Sequence, residues 1–492
     1  MRWRWPLWVV LTVLIYYPLL QARPIFDDIA HMEFAAAHGW DLLRMGPIFF
    51  RPFERVLIGV NWMWSGNNFW LVHGVALAAL VIKTSLVYSI VRRLTERASA
   101  WLALLAALIF LTHPMNVSAV GKIDTLSEDL AALFALLGAR LALASVRNSD
   151  DTVPAGAMKN AVLAAGAVFM GMMSKEAFAG FAAALPFMFA VAVGTRQRAA
   201  RQVLGVLVLS EALAAGAYFT IRLASGFPLT GALIHTARYQ LRFGANVAMN
   251  IAAQLGAIAF PGNTVAVFVN LNILHIAVSA GLLLLAAVIA VRRLPAVIDA
   301  CKREPRQRRM MVVVLIAIVA GLFPSCLIPE LISENQTAQA LPFVIIAFIS
   351  LFGFSADPTA RQSPLAMAFG SVAVVWLAAA CTDKVLAARE ASFRAERIGA
   401  QIEAAYRAGP VSALTVCFAR NMRTEPKKYS VFSMPDDAAA FFQLYRLRMM
   451  QPSPTLSVVD LRNTPVPAGG HCDITVSAFD VVRAPIRGAA LP

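Results

Sequence analysis

Long apolar runs separated by short polar breaks dominate this sequence. Eleven of them, at 6–20, 69–91, 99–112, 130–146, 155–173, 177–193, 203–221, 271–291, 310–328, 340–354 and 364–381, are close to the roughly 20 residues that a helix needs to cross a hydrocarbon core. The spacing predicts about 11 transmembrane helices. A further apolar stretch, 247–260, ends at Pro261–Gly262 and reads as a re-entrant or interfacial helix that does not cross. After Cys381 the pattern changes. Residues 383–407 read as a charged amphipathic helix, followed by strand-like runs at 411–418, 456–460 and 474–482 around a helix at 436–449. The fold class is therefore an α-helical polytopic membrane protein (1–382) with a small C-terminal α/β extracytoplasmic domain (383–492).

Composition supports the membrane assignment: 59% of the 492 residues are hydrophobic and 14% charged, against roughly 25% charged in a soluble domain. The net charge of +15 raises nucleic acid as a partner, but the distribution of the basic residues argues against it. They fall in short clusters between apolar runs: Arg92, Arg93 and Arg97; Arg147 with Lys159; Arg196, Arg198 and Arg201; and the series from Arg292 to Arg309. Such clusters mark cytoplasmic loops. With the N-terminus inside, all four fall in the cytoplasm, the C-terminus lies outside, and 247–260 must not cross. The run 6–20 follows Arg2 and Arg4 as a signal peptide would, but it leads straight into more membrane sequence and reads as the first span. The compact loops lead us to expect a bacterial inner membrane.

This topology gathers polar groups on the outer face. The first external loop, 21–68, carries Asp27, Asp28, His31, Arg51 and Arg55; the others are 113–129, the Ser174–Lys175–Glu176 turn, 222–246 and 333–339. Asp27 and Asp28 either form a functional site at the membrane edge or cap a short interfacial helix. Lys175 either meets a lipid phosphate or pairs with Glu176. Arg238 and Arg242 read as interfacial anchors or as guides for a lipid headgroup. The seven histidines are scattered and neither His-x-x-x-His nor Cys-x-x-Cys occurs, so no obligatory metal is expected. Cys417 and Cys472, the cysteines of the C-terminal domain, are either bridged or two buried thiols.

Asp27–Asp28, Phe50–Arg51–Pro52–Phe53, Phe69–Trp70–Leu71–Val72–His73, Leu111–Thr112–His113–Pro114, Asp129 to Phe134 and Ser174–Lys175–Glu176 follow one another in an order that resembles the protein O-mannosyltransferases and their TMTC-like relatives. These are multi-span glycosyltransferases of the GT-C superfamily, and the resemblance covers about the first 195 residues. It implies a polyprenyl-phosphate sugar as donor substrate and, in most such enzymes, inversion at the anomeric carbon. It also implies Asp27 as the acceptor's general base with Asp28 beside it, Arg51 and Lys175 on the donor phosphate, and supporting roles for His113, Glu176 and Asp129. The family often has an arginine two residues before the acid that matches Asp129. This chain has Ser127 there, so Lys122 is the candidate substitute. Glu334 to Pro342 keeps the acid and the Leu–Pro pair of a late family motif but lacks its tyrosines.

The chemistry agrees with this assignment. Moving a sugar from a lipid phosphate to a hydroxyl needs a base near the acceptor and cations on the leaving phosphate. The sequence has neither a glycine-rich phosphate loop nor a nucleotide fingerprint, which favours a lipid-linked donor over a nucleotide sugar. Protein, lipid and glycan all remain open as acceptors. Two alternatives stand beside the enzyme: a non-catalytic GT-C-like scaffold, and a lipid-linked sugar transporter or flippase, for which matching inverted halves are not seen.

Overall fold

The computed structural model describes residues 4–24, 27–38, 50–66, 68–95, 100–147, 152–227, 243–259, 273–327, 337–353, 364–409, 413–418, 443–448, 454–460, 472–476 and 481–483. A helix occupies each of the eleven apolar runs. In chain order the helices are α1 (Arg4–Tyr16, continued by a 3-10 turn Tyr17–Gln21), α2 (Asp27–His38), α3 (Pro52–Ser65), α4 (Trp70–Leu94), α5 (Ala100–Leu111), α6 (Met115–Gly121), α7 (Leu126–Ala144), α8 (Ala157–Ser174) and α9 (Ala179–Val193). Then come α10 (Arg198–Ala224), α11 (Ala245–Ala259), α12 (Ile273–Arg303), α13 (Pro305–Cys326), α14 (Leu341–Gly353) and α15 (Pro364–Arg407). Among the described residues, seven helical segments are long and apolar enough to cross a bilayer, or eight if α5 and α6, bent by 56° to each other, count as one. The bend falls at Pro114, which has no N–H to continue the ladder.

The segment 113–129, expected as an external loop, contains α6, whose residues are all buried. α11 packs on α13, where Asn246 and Asn250 donate to the Cys326 carbonyl at 3.4 and 3.1 Å. α7 packs against α4 and α8, α8 against α10, and α9 against α13. Gly180 permits that last contact, because a Cβ there would lie 2.6 Å from Pro324 Cγ.

The two ends of this bundle differ in charge. At one end Arg93 donates from Nε to the Leu143 carbonyl (2.9 Å) and from Nη2 to that of Ala144 (3.3 Å), and the Arg147 N–H bonds the Ala192 carbonyl (3.1 Å). Guanidinium donors satisfy the unpaired last carbonyls of α7 and suit its dipole. The N-termini of α7 and α9 and the C-terminus of α8 therefore lie at the opposite end.

α15 is a single 44-residue helix, so the change of character at Cys381 does not break it. Its Cys381, Val385 and Ala388 belong to the main core. Farther along, Ile398, Ile402 and Tyr406 pack with Leu414, Val416, Leu444, Leu447, Ile474 and Val476 in a second core. The strands there are β1 (Ala413–Phe418), β2 (Thr455–Asp460), β3 (Ile474–Val476) and β4 (Val481–Arg483), in the order β2-β1-β3-β4. β1 pairs parallel with β2 and β3, while β3 and β4 are antiparallel. The run 474–482, expected as one strand, is thus two, each satisfying backbone groups of the other. Of the helix expected at 436–449, α16 (Tyr445–Arg448) is observed and 436–442 lie outside the described residues. α16 packs against α2. Its Arg446 pairs with Glu396 and, at 3.4 Å, with Glu403 of α15. A disulfide joins Cys417 to Cys472 with their Cα atoms 5.6 Å apart.

Candidate functional site

Segments far apart in sequence bring a cluster of charged side chains to the end of the bundle away from Arg93 and Arg147. Arg51 sits immediately before α3, whose first residue, Pro52, has a φ suited to a helix start and no N–H to leave unpaired. Arg51 Nη1 lies 3.4 Å from Glu54 Oε2, one helical turn on, and its Nε lies 3.4 Å from Glu176 Oε2. The Phe50 N–H donates to Glu176 Oε1 at 2.8 Å. Glu54 also meets His31, with Nε2 3.2 Å from Oε1, which ties α3 to α2. Arg55 stacks over the Phe34 ring at 4.6 Å and makes a second tie.

The segment between α6 and α7 closes the cluster from another side. Asp28 Oδ1 accepts the N–H groups of Ile123 (2.9 Å) and Asp124 (3.0 Å), and Lys122 Nζ lies 2.8 Å from Asp124 Oδ1. On the first turn of α7, Glu128 pairs with Lys175 and accepts from Ser127 Oγ at 2.7 Å. Lys175 ends α8, and its N–H bonds the Gly171 carbonyl at 3.0 Å. The α8–α9 corner is tight because the Phe178 ring lies on the bare Cα of Gly171, where a Cβ would be 2.5 Å from Cε1.

Burial governs the protonation of these groups. Burial, and then the nearby Arg55, push His31 down to about 3, so it is neutral. Burial raises Glu54 to about 7 despite the opposing effect of Arg51 and Arg55. Burial also raises Asp124, but Lys122, with Lys175, outweighs it and holds that carboxyl below its ordinary value. Arg51 stays protonated, since Glu54 and Glu176 overcome the burial that would lower it. His31 and Glu54 are therefore in close contact without forming an ion pair.

Of the residues singled out from the sequence, Asp28, Arg51, Lys122, Lys175 and Glu176 are brought together. The side chain of Asp27, whose backbone opens α2, lies outside the described residues, as do Glu334, Arg238 and Arg242. Lys175 pairs with Glu128 and not with Glu176. Two residues expected in supporting roles have partners outside this cluster. His113 donates from Nε2 to the Ile258 carbonyl (3.0 Å) and accepts the Met115 N–H at Nδ1 (3.3 Å), so its ring joins the α5–α6 corner to α11. Asp129 faces away from the cluster and pairs with Lys83, in the middle of α4. Glu54, Asp124 and Glu128 were not anticipated. The signal for Glu54 was its place three residues after Arg51, where a helix begun at Pro52 brings the two side chains together. Among the described residues, no group of three or more His, Cys, Asp or Glu side chains is placed to hold a metal ion.

Neither a family model nor a curated protein sequence matches this chain. Among solved structures it is similar to ArnT from Cupriavidus metallidurans in the apo state, with a TM-score of 0.54 and 12% identity over 92% of this chain and 84% of that one. It is also similar to the same protein bound to undecaprenyl phosphate, with a TM-score of 0.53 and 13% identity over 92% and 89%. The oligosaccharyltransferase AglB from Archaeoglobus fulgidus, in complex with an inhibitory peptide and a dolichol-phosphate, is more distant. Its TM-score is 0.46 at 12% identity, over 85% of this chain and 62% of AglB. The chain shares the fold of ArnT. Within that frame, the charged cluster is built by α2, α3, the α6–α7 segment and the α8–α9 corner.

Proposed function

We propose that this protein is a membrane glycosyltransferase that moves a hexose from a polyprenyl phosphate to an acceptor hydroxyl, with inversion, at the extracytoplasmic face of a bacterial inner membrane. In this reading eleven helices cross, the N-terminus is cytoplasmic, and the C-terminal sheet lies in the periplasm over the site. The observation that carries it is the convergence of Arg51, Lys122 and Lys175, from three separate segments, in one cluster with carboxylates, at the end of the bundle opposite Arg93 and Arg147. The fold shared with a protein solved with undecaprenyl phosphate supports the donor class. Asp27, at the start of α2, takes the acceptor's proton. Asp28 fixes the segment that carries Lys122, and Arg51 and Lys175 stabilise the phosphate as charge grows on it. Arg51 offers several nitrogens and Lys175 a point charge, so the two are not redundant.

One observation favours the scaffold reading: each of these three cations already has a carboxylate partner. A transfer assay separates the two. Membranes containing the wild type, Asp27→Asn, Arg51→Ala or Lys175→Ala are given a radiolabelled polyprenyl-phosphate sugar. The wild type is expected to transfer, and each variant to lose on the order of 100-fold or more. Equal transfer by all four removes the assigned roles, and no transfer by the wild type with any donor favours the scaffold.

A further inference from the structure

Glu176 occupies a place made for an oxyanion. Its two oxygens are held by a backbone N–H, that of Phe50 at 2.8 Å, and by a guanidinium nitrogen, Arg51 Nε at 3.4 Å, contributed by consecutive residues. Both donors are fixed. Phe50 is fully buried, its ring packs against Tyr218 and Phe227, and the Arg222 guanidinium lies 5.6 Å from its centroid. Arg51 is anchored by Glu54. Preset donors of this kind bind a carboxylate or a phosphate with the same fork of two oxygens.

Charge then limits what can enter. Arg51, Arg55, Lys122 and Lys175 face the carboxylates of Asp28, Glu54, Asp124, Glu128 and Glu176. The phosphodiester of a lipid-linked sugar that enters while all of them stay in place adds negative charge to a poorly hydrated cluster, which is unfavourable. One carboxylate has to leave. Glu54 is fully buried, and the side chains of Glu128 and Asp124 are 11% and 17% exposed, whereas that of Glu176 is 31% exposed and sits on a short turn. Glu176 can reach water with the least rearrangement.

We infer that the Phe50 N–H and Arg51 Nε form the cradle for the donor's phosphate, and that Glu176 is an internal stand-in which the phosphate displaces. This rests on the lipid-linked donor proposed above and adds a gate to it: donor binding exchanges one anion for another, and the freed carboxylate moves to the mouth of the site.

The test is binding by the full-length protein in nanodiscs, with undecaprenyl phosphate, inorganic phosphate and undecaprenol as probes. Glu176→Ala is expected to bind undecaprenyl phosphate about tenfold more tightly than wild type, the size of one charge-assisted contact no longer in competition. Glu176→Gln should gain less, since its amide oxygen still accepts from Phe50. Asp124→Asn, which removes a charge outside the cradle, should gain little, and undecaprenol should bind all forms alike. Equal gains in Asp124→Asn and Glu176→Ala reduce the effect to net charge and overturn the stand-in. Weaker binding by Glu176→Ala overturns it too, by making Glu176 a support for Arg51. If inorganic phosphate binds Glu176→Ala as tightly as the lipid does, the cradle stands and the lipid-donor reading falls. If no form binds either phosphate, both fall together.

Discussion

Glu128 and Asp129 are neighbours on the first turn of α7, yet they hold cations from different helices: Glu128 holds Lys175 at the α8–α9 corner, and Asp129 holds Lys83 in the interior of α4. The orientation of α7 is thus set from within the bundle by one acid and used at the site by the next. Lys83 and Asp129 are both almost completely buried, so each leaves an uncompensated charge if the other is removed. Lys83→Met or Asp129→Asn alone should destabilise the protein by about 3–5 kcal/mol. The double variant Lys83→Met/Asp129→Leu should recover most of that loss. Thermal unfolding in detergent checks this, and a double variant no better than the worse single one counts against the pair.

The corner carrying Lys175 depends on Gly171. The Phe178 ring is fully buried and covers the Gly171 Cα, so the ring cannot yield to a methyl group. Gly171→Ala should cost about 1–3 kcal/mol through overpacking and lower sugar transfer by moving Lys175 away from Glu128. Gly166, on the same helix, has nothing within 4 Å of where its Cβ would be. Gly166→Ala is therefore the matched control, and it should transfer as the wild type does.

Glu54 and His31 give stability opposite dependences on pH. Glu54, raised to about 7, keeps a proton that the unfolded chain releases near its ordinary 4.5. Its contribution is complete below about pH 4.5 and is lost as the pH rises through about 7. His31, lowered to about 3, is neutral when folded, so its contribution is present above about pH 6.5 and is lost as the pH falls toward 3. Between about pH 6.5 and 8 the Glu54 effect acts alone. The melting temperature of the wild type should fall relative to that of Glu54→Gln across that interval. A constant difference between the two would show that Glu54 does not titrate there.

Much of this architecture could be read from the chain because membrane helices announce themselves by length and apolarity, and a helix lies on each of the eleven runs. Lys175 and Glu176 could be picked out because they interrupt apolar sequence at a run end, and Arg51 because Phe50–Arg51–Pro52–Phe53 resembles a motif of the protein O-mannosyltransferases. Their carboxylate partners could not, because pairing across 47 residues between Glu128 and Lys175, or 125 between Arg51 and Glu176, depends on helix packing that no local pattern encodes. Lys83 was hidden for the opposite reason: it lies within 25 residues of apolar helix, where one charge hardly alters the hydropathy signal. The partners of His113 and Asp129 could not be read either, because they lie on α11 and α4, far away in the sequence.

Arg51 tests whether shape or charge alone matters at the cluster. It reaches two acids with different nitrogens, Nη1 toward Glu54 and Nε toward Glu176, and these directions are set by one planar guanidinium. A lysine has the same charge but places it on a single tetrahedral nitrogen at the end of a flexible stem. Arg51→Lys can keep Glu54 or hold an anion beside the Phe50 N–H, but it cannot do both with the arginine's geometry. Transfer by Arg51→Lys should therefore fall at least about tenfold, close to Arg51→Ala, while thermal stability stays nearer the wild type because the charge beside Glu54 is kept. Initial rates at saturating and limiting donor, measured with melting temperatures on the same preparations, check both parts. If Arg51→Lys transfers like the wild type, the phosphate responds to positive potential alone, and the planar fork has no part in recognition.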